Sequence, residues 1–145
     1  MPETKQQGEA QIQFRYKLYL LPERMAVCRL SPTAPIPDWA GSSGLLAFIR
    51  TRDELCVVCA EADVPAYITT EPGWRTLQVQ GPLDFSQVGV LASLATTLAS
   101  ADISLFALST FDTDYLLVKQ SHLKQAVEAL TQAGHQVVSF PGDWL

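Results

Sequence analysis

From Trp74 to Phe140 the apolar residues repeatedly change period, and this alternation constrains the fold more than any other feature of the chain. "WRTLQVQG" (74–81) places Trp74, Thr76, Gln78 and Gln80 on one side and Arg75, Leu77, Val79 and Gly81 on the other, predicting a strand with both faces partly covered. Val88, Leu91, Ala92, Ala95, Leu98 and Ala99 then recur at three- and four-residue spacing, an apolar helix stripe. Asp84 is its predicted N-cap, with Gln87 as the capping-box partner. "DISLFALST" and "DYLLVK" read as strands whose short polar link makes them an antiparallel pair. Leu123, Ala126, Val127 and Leu130 form a second stripe, on a helix running from an N-cap at Ser121 to Ala133, with Gly134 as its stop. "HQVVSF" closes the series as a strand.

The order β-α-β-β-α-β is the split βαβ arrangement of ferredoxin-like folds, an antiparallel sheet with two helices on one face. The first half reads as a worn copy. "FRYKLYLL" and "RMAVCRL" are two β-type runs with Pro22 and Glu23 at their junction. "SPTAPIPDWAGSSG" (31–44) is a loop with one helical turn near Trp39, and "LLAFIRT" and "ELCVVCAE" flank Arg52-Asp53 as a β-hairpin. "ADVPAYITTEPG" (62–73), with two prolines, reads as a linker. The expected organisation is a flexible lead-in at 1–11, a degenerate unit at 12–70 and a complete unit at 71–145.

About half of the residues are hydrophobic, enough for a sizeable core, and 17% are charged against the roughly 25% of an average protein. An apolar face left for a partner is expected. A net charge of −5 with scattered basic residues disfavours nucleic acid and anionic membrane. No apolar run approaches the ~20 residues that span a bilayer, and "MPETKQQGEA" lacks the apolar core of a signal peptide, which points to the cytoplasm. Cys28, Cys56 and Cys59 read as buried free thiols. Cys56 and Cys59 have C-x-x-C spacing, but on a strand residues i and i+3 face opposite sides, so neither a metal nor a redox site is expected.

Catalytic chemistry is hard to assemble. His122 and His135 sit at helix ends, and the strand-to-helix loop "QGPLDFSQVG" has no arginine to cradle a phosphate. No cofactor is called for. Two features point instead to binding. The helix after that loop presents unpaired N–H groups and a partial positive charge, and Gly89 lets a ligand or another backbone approach. Asp112 and Asp114 bracket the turn between the two middle strands: Asp112 fits turn chemistry, while Asp114 at the strand start is placed to bind an ammonium group. A free α-amino acid carries both complementary groups.

Residues 74–119 resemble the ACT domain, in the subgroup of small bacterial tandem-ACT proteins and the eukaryotic CASTOR arginine sensors. The resemblance rests on Gly-Pro-Leu-Asp-Phe-Ser (81–86), Gly89-Val90-Leu91, Ala101-Asp102-Ile103-Ser104 and Ser109 to Tyr115, with "RTRDELCVVCAE" a looser match in the first half. It implies two tandem ACT units of the ferredoxin-like kind, the first degenerate, in a non-catalytic regulatory module. Such a module binds an amino acid where ACT units meet, as a homodimer or higher homo-oligomer that signals through another protein. The implied ligand-binding residues are Gln87, Val88, Gly89, Val90, Ser109, Thr110, Phe111 and Asp114, with Asp114 on the ligand amine. The chain departs from the arginine-binding pattern at Gln87, where a neutral amide replaces an acid, so a guanidinium loses its ion pair there. The competing expectation is an oligomeric scaffold whose ligand site is vestigial.

Overall fold

The structure is a computed structural model that describes residues 15–41, 44–84 and 87–140. The expected flexible lead-in and the start of the first β-type run therefore lie outside the described residues. Seven strands form one sheet: β1 (Lys17–Leu30), β2 (Ala47–Arg50), β3 (Leu55–Ala60), β4 (Thr69–Val79), β5 (Phe106–Ser109), β6 (Asp114–Lys119) and β7 (Gln136–Ser139). Two α-helices accompany them, α1 (Val90–Ser100) and α2 (Leu123–Gln132). The order is β2-β3-β1-β4-β6-β5, with β7 beside the first part of β1.

Both β-type runs before residue 30 belong to one 14-residue strand. One edge of β1 pairs with β4 over its length. Its other edge pairs first with β7, in parallel at Lys17–Leu20, and then with β3, antiparallel at Met25–Leu30. Pro22 falls where that neighbour changes, and the register against β4 shifts between Leu20 and Arg24. A proline has no N–H to give a ladder, so this gap is where a long strand tolerates one. The same reasoning corrects the linker reading of residues 69–73, which continue β4. One extra β4 residue lies between the Met25–Trp74 and Val27–Glu71 pairs, and Gly73 there has φ 81°. Pro72 thus sits in a bulge, just past the last β4–β6 pair at Trp74 and Lys119.

The β-α-β-β-α-β order of the second half is present along the chain. Its closing strand, however, pairs with β1 and not with β4, and does so in parallel. The sheet is therefore mixed, and the two sequence halves share it where the sequence reading expects two tandem antiparallel units. The first half supplies strands with single 3₁₀ turns at Asp38–Ala40 and Glu61–Asp63.

The two helices cover one face. Leu18, Leu77, Val79, Leu116 and Val118 of the sheet pack against Val90, Leu94, Leu98, Ala126 and Leu130 of the helices, all buried. Both helices end in the same way. In α1 the N–H of Asp102 bonds to Ala99 O (2.9 Å) and that of Ile103 to Leu98 O (3.0 Å); in α2, Gly134 bonds to Thr131 O and His135 to Leu130 O (both 3.0 Å). These pairs are Schellman motifs, with Asp102 (φ 61°) and Gly134 (φ 99°) in the left-handed position. The α2 start differs from expectation: a 3₁₀ turn at Gln120–His122 leads in, and the capping residue is His122 rather than Ser121. Cys59 lies with Cys28 in the buried cluster beneath the Pro-rich loop, whereas Cys56 lies on the other face, so the C-x-x-C sulfurs do not converge. No helix among the described residues is long and apolar enough to cross a membrane.

His135 is a structural latch. It is buried, its Nδ1 accepts the backbone N–H of Tyr16 (3.0 Å), and its ring stacks on Tyr16 at 5.4 Å. Burial holds its pKa below the ordinary 6.5. The unfolded chain therefore takes up the proton first, and the stabilisation, complete above about pH 6.5, is lost as pH falls below that value. Urea unfolding of the wild type is expected to show stability dropping between neutral and mildly acidic pH. His135→Gln, which keeps an acceptor but cannot titrate, is expected to flatten that drop; equal slopes in the two proteins would rule the latch out.

Candidate functional site

A cavity of about 330 Å³ opens between the entry to α1 and the β5–β6 turn. Asp84, Gln87, Gly89 and Val90 contribute one wall, and Ser109 to Asp114 the other. Seven of the eight residues expected to bind a ligand line it. Val88 does not, being adjacent in sequence but 83% exposed.

The entry to α1 departs from the sequence reading. The helix begins at Val90, six residues after Asp84, and Gly89 is its N-cap with φ 87°. Asp84 and Gln87 form no capping box; they join through a backbone bond from Gln87 N–H to Asp84 O (2.9 Å). Phe85 and Ser86 of the Gly-Pro-Leu-Asp-Phe-Ser motif lie outside the described residues. Gly89 serves neither helix–sheet packing nor close contact within the chain, because a Cβ there would meet nothing within 4 Å. Its glycine is required by the positive φ. The first intrahelical bond is Ser93 N–H to Gly89 O (2.8 Å). The N–H groups of Val90, Leu91 and Ala92 therefore have no intrahelical acceptor, and these residues line the cavity.

The opposite wall is tied by hydroxyls. Thr110 N–H bonds to Thr113 O (2.8 Å), and the Thr110 hydroxyl donates to Thr113 O (3.1 Å) while accepting from Thr113 N–H (3.3 Å). The turn chemistry assigned to Asp112 is thus performed by Thr110. Asp112 contributes its backbone carbonyl, to Leu83 N–H (2.7 Å), and is an exposed residue of the cavity lining. Asp114 is half-buried and its Oδ1 accepts from the hydroxyl of Ser109 (2.7 Å), its cross-strand neighbour. That bond fixes the carboxylate at the strand start.

The two walls are bolted together. The buried Thr113 donates its hydroxyl to Val79 O, and the Leu83–Asp112 bond joins the turn to the segment that leads into α1. Gly81 permits this contact, since a Cβ there would lie 2.9 Å from Asp112 O and 3.1 Å from Thr113 Cβ.

The electrostatics are asymmetric. Asp84, Asp112 and Asp114 line the cavity and, among the described residues, no Lys, Arg or His does, while the α1 terminus supplies a partial positive charge. Among the described residues no group of three or more His, Cys, Asp or Glu is arranged to hold a metal. Apart from the eight expected residues, Asp84 and Asp112 are the chemically active members. Asp84 is visible in sequence only as a helix cap, and Asp112 only as a turn residue.

Known proteins supply the family. The ACT-domain family model matches residues 69–132, and a second model, described as an N-terminal domain, matches 23–67. A structure from Agrobacterium tumefaciens is 34% identical, with TM-score 0.83, and the match covers 91% of this chain and 98% of that one. The human cytosolic arginine sensor for mTORC1 subunit 1 is 40% identical over 58 residues, 39% of this chain but only 18% of the sensor's length. The ligand-free regulatory subunit of aspartate kinase from Thermus thermophilus shares the fold at 11% identity and TM-score 0.55, over 81% of this chain and 97% of that one.

Two glycine substitutions separate the roles of the walls. Gly81→Ala drives a Cβ into the turn backbone and is expected to cost about 1–3 kcal/mol in urea unfolding. Gly89→Ala meets open space and is expected to cost only the about 1–2 kcal/mol of a left-handed non-glycine residue, leaving the β5–β6 turn undisturbed by NMR. A Gly81→Ala protein of wild-type stability and turn geometry would contradict the clamp. On the matches above, the chain belongs to the ACT-domain proteins, in a branch related to the cytosolic arginine sensors.

Proposed function

We propose that this protein is a non-catalytic regulatory module that binds a free amino acid in the cavity between the α1 entry and the β5–β6 turn. One observation carries the reading: a fixed carboxylate and an open helix N-terminus line the same cavity from opposite walls. Asp114, held by Ser109, takes the ligand ammonium in a charge-assisted bond. The N–H groups of Val90, Leu91 and Ala92 take the α-carboxylate. Thr110 and Phe111 shape the wall beside them.

The ligand side chain then faces Gln87, Asp84 and Asp112. Gln87 is neutral, so any ion pair to a cationic side chain falls to the two aspartates. Their presence keeps a basic amino acid within the ligand class despite the departure at Gln87. No basic residue lines the cavity to attract an acidic side chain.

The ligand site is completed by a second ACT unit, in a homodimer or higher homo-oligomer, and the output passes to a protein target. Phe111 and Val88 support this, being 79% and 83% exposed beside the cavity, as does β5, which is an outer strand with one unpaired edge. The same exposed residues favour a second reading, an oligomeric scaffold with no working ligand site. A cytosolic setting fits three free cysteines.

Thermal unfolding with each common amino acid at millimolar concentration separates these readings. A ligand at 100 times its dissociation constant stabilises by about 2.7 kcal/mol, a rise on the order of 5–10 °C for a chain of this size. One amino acid, or one chemical class, is expected to give that rise, and Asp114→Ala in a folded protein to abolish it. Self-association without any ligand shift would favour the scaffold.

A further inference from the structure

A second cavity, of about 430 Å³, shares Asp112 and Thr113 with the first but is otherwise built from different residues. Tyr19, Gln78 and Tyr115 are successive cross-strand neighbours on β1, β4 and β6, and all three line it. They lie on the sheet face away from the helices, since Leu77 and Val79, on either side of Gln78, enter the helix-side core. The Gln78 carboxamide oxygen is buried and has no hydrogen-bond partner among the described residues. Buried acceptors are almost always paired, so an orphan at the wall of a cavity marks a place for a donor. Asp112 adds a negative charge, and among the described residues no Lys, Arg or His lines the space. The reach of that charge is visible at Tyr115, whose hydroxyl is pushed above its ordinary pKa by burial first and by Asp112 second. The Tyr19 ring is held edge-on by Phe140 at 5.6 Å, and the Lys17 ammonium rests 5.5 Å from its centroid, so one cation–π contact of this ring already exists within the chain.

We propose that this second cavity binds a small organic cation, an amine or guanidinium. Its N–H groups bond to the Gln78 carboxamide oxygen and the Asp112 carboxylate, and its charge rests against the Tyr19 and Tyr115 rings. A cation without a carboxylate is the better fit than an α-amino acid, because among the described residues no Lys, Arg or His lines the cavity and the Lys17 ammonium is engaged on the Tyr19 ring. The proposal does not rest on the amino-acid reading of the first cavity; the two sites demand different ligands and meet only at the Asp112–Thr113 turn.

Agmatine, which carries a guanidinium and an amine but no carboxylate, separates the sites. In a titration of the ¹⁵N-labelled full-length chain with millimolar agmatine, the Gln78 side-chain amide and the Tyr19 and Tyr115 backbone amides are expected to shift together. Gln78→Leu and Asp112→Asn are each expected to weaken binding by roughly tenfold, as loss of one bond to a charged ligand does. Gln78→Glu, which places a full negative charge at the orphan oxygen, is expected to tighten it. It keeps the test decisive if Gln78→Leu does not fold. Absence of shifts overturns the proposal, as do shifts centred on Ser109, Thr110 and Gly89, or an affinity that neither Gln78→Glu nor Asp112→Asn changes.

Discussion

The pairing of β1 with β4 is the contact on which the rest of the molecule depends. It joins the two halves of the sequence along one ladder, and each outer strand attaches to one of these two directly or through a single neighbour. β3 and β7 take the far edge of β1, while β6 takes the far edge of β4 and carries β5 with it. Both central strands contain a proline, and each proline lies at a register shift where the flanking partner has ended or changed. Backbone donors are expensive to leave unpaired inside a sheet, so these two positions tolerate proline because no bond is missing there. Where the chain gives up ladder bonds is thereby matched to where its neighbours hand over.

That ladder also sets the site. Val79 ends β4 beside the helix-side core and presents its carbonyl to Thr113, so the β5–β6 turn docks on the end of the strand that leads toward α1. The Leu83–Asp112 bond repeats the attachment from the other direction. Two elements that supply opposite partial charges, a helix terminus and a carboxylate-bearing turn, are held in fixed relation by these two bonds. On the proposed reading this is preorganisation for a zwitterion: the donors and the acceptor are set before a ligand arrives, which lowers the ordering cost of binding.

The second half of the fold was readable because its signals are local. Leu123, Ala126 and Leu130 at helical spacing, Gly134 after them and "DYLLVK" at residues 114–119 each declare their element within a few residues. The first half and its junction were less readable because they depend on distant pairing. Pro72 and Gly73 punctuate a sequence, and nothing local reveals that β1 lies alongside to absorb a bulge. Likewise, "HQVVSF" announces a strand but not that its neighbour is Lys17–Leu20, more than a hundred residues earlier. At the candidate site, Ser109, Asp114 and Gly89 are candidates by residue type, and the fold brings them to one cavity. The division of labour within the turn is not legible by residue type, since Thr110 and Asp112 both suit a tight turn and only the geometry shows which one closes it. The α1 start was misread for the same reason. Asp84 with Gln87 satisfies the pattern of a capping box, but the N-cap is Gly89, in the left-handed conformation and five residues beyond Asp84.

Asp112 is where these threads meet. Its side chain makes no hydrogen bond among the described residues, and the residue lines both cavities while its carbonyl holds Leu83. A residue needed only for turn geometry would turn its side chain to its own backbone, as Thr110 does. An uncommitted carboxylate at a rigid backbone position instead costs little in the unliganded protein, where solvent screens it, and gains a partner only when a cation arrives on either side. On the two proposed readings, a cation bound in one cavity would reduce the charge felt in the other without moving the main chain, because the backbone at that position is held by Leu83 and Thr113. Electrostatic coupling of this kind is reciprocal: a cation bound in one cavity neutralises the field that would attract a second. The turn that assembles the site thus also provides the means by which two ligands could oppose each other in a small protein.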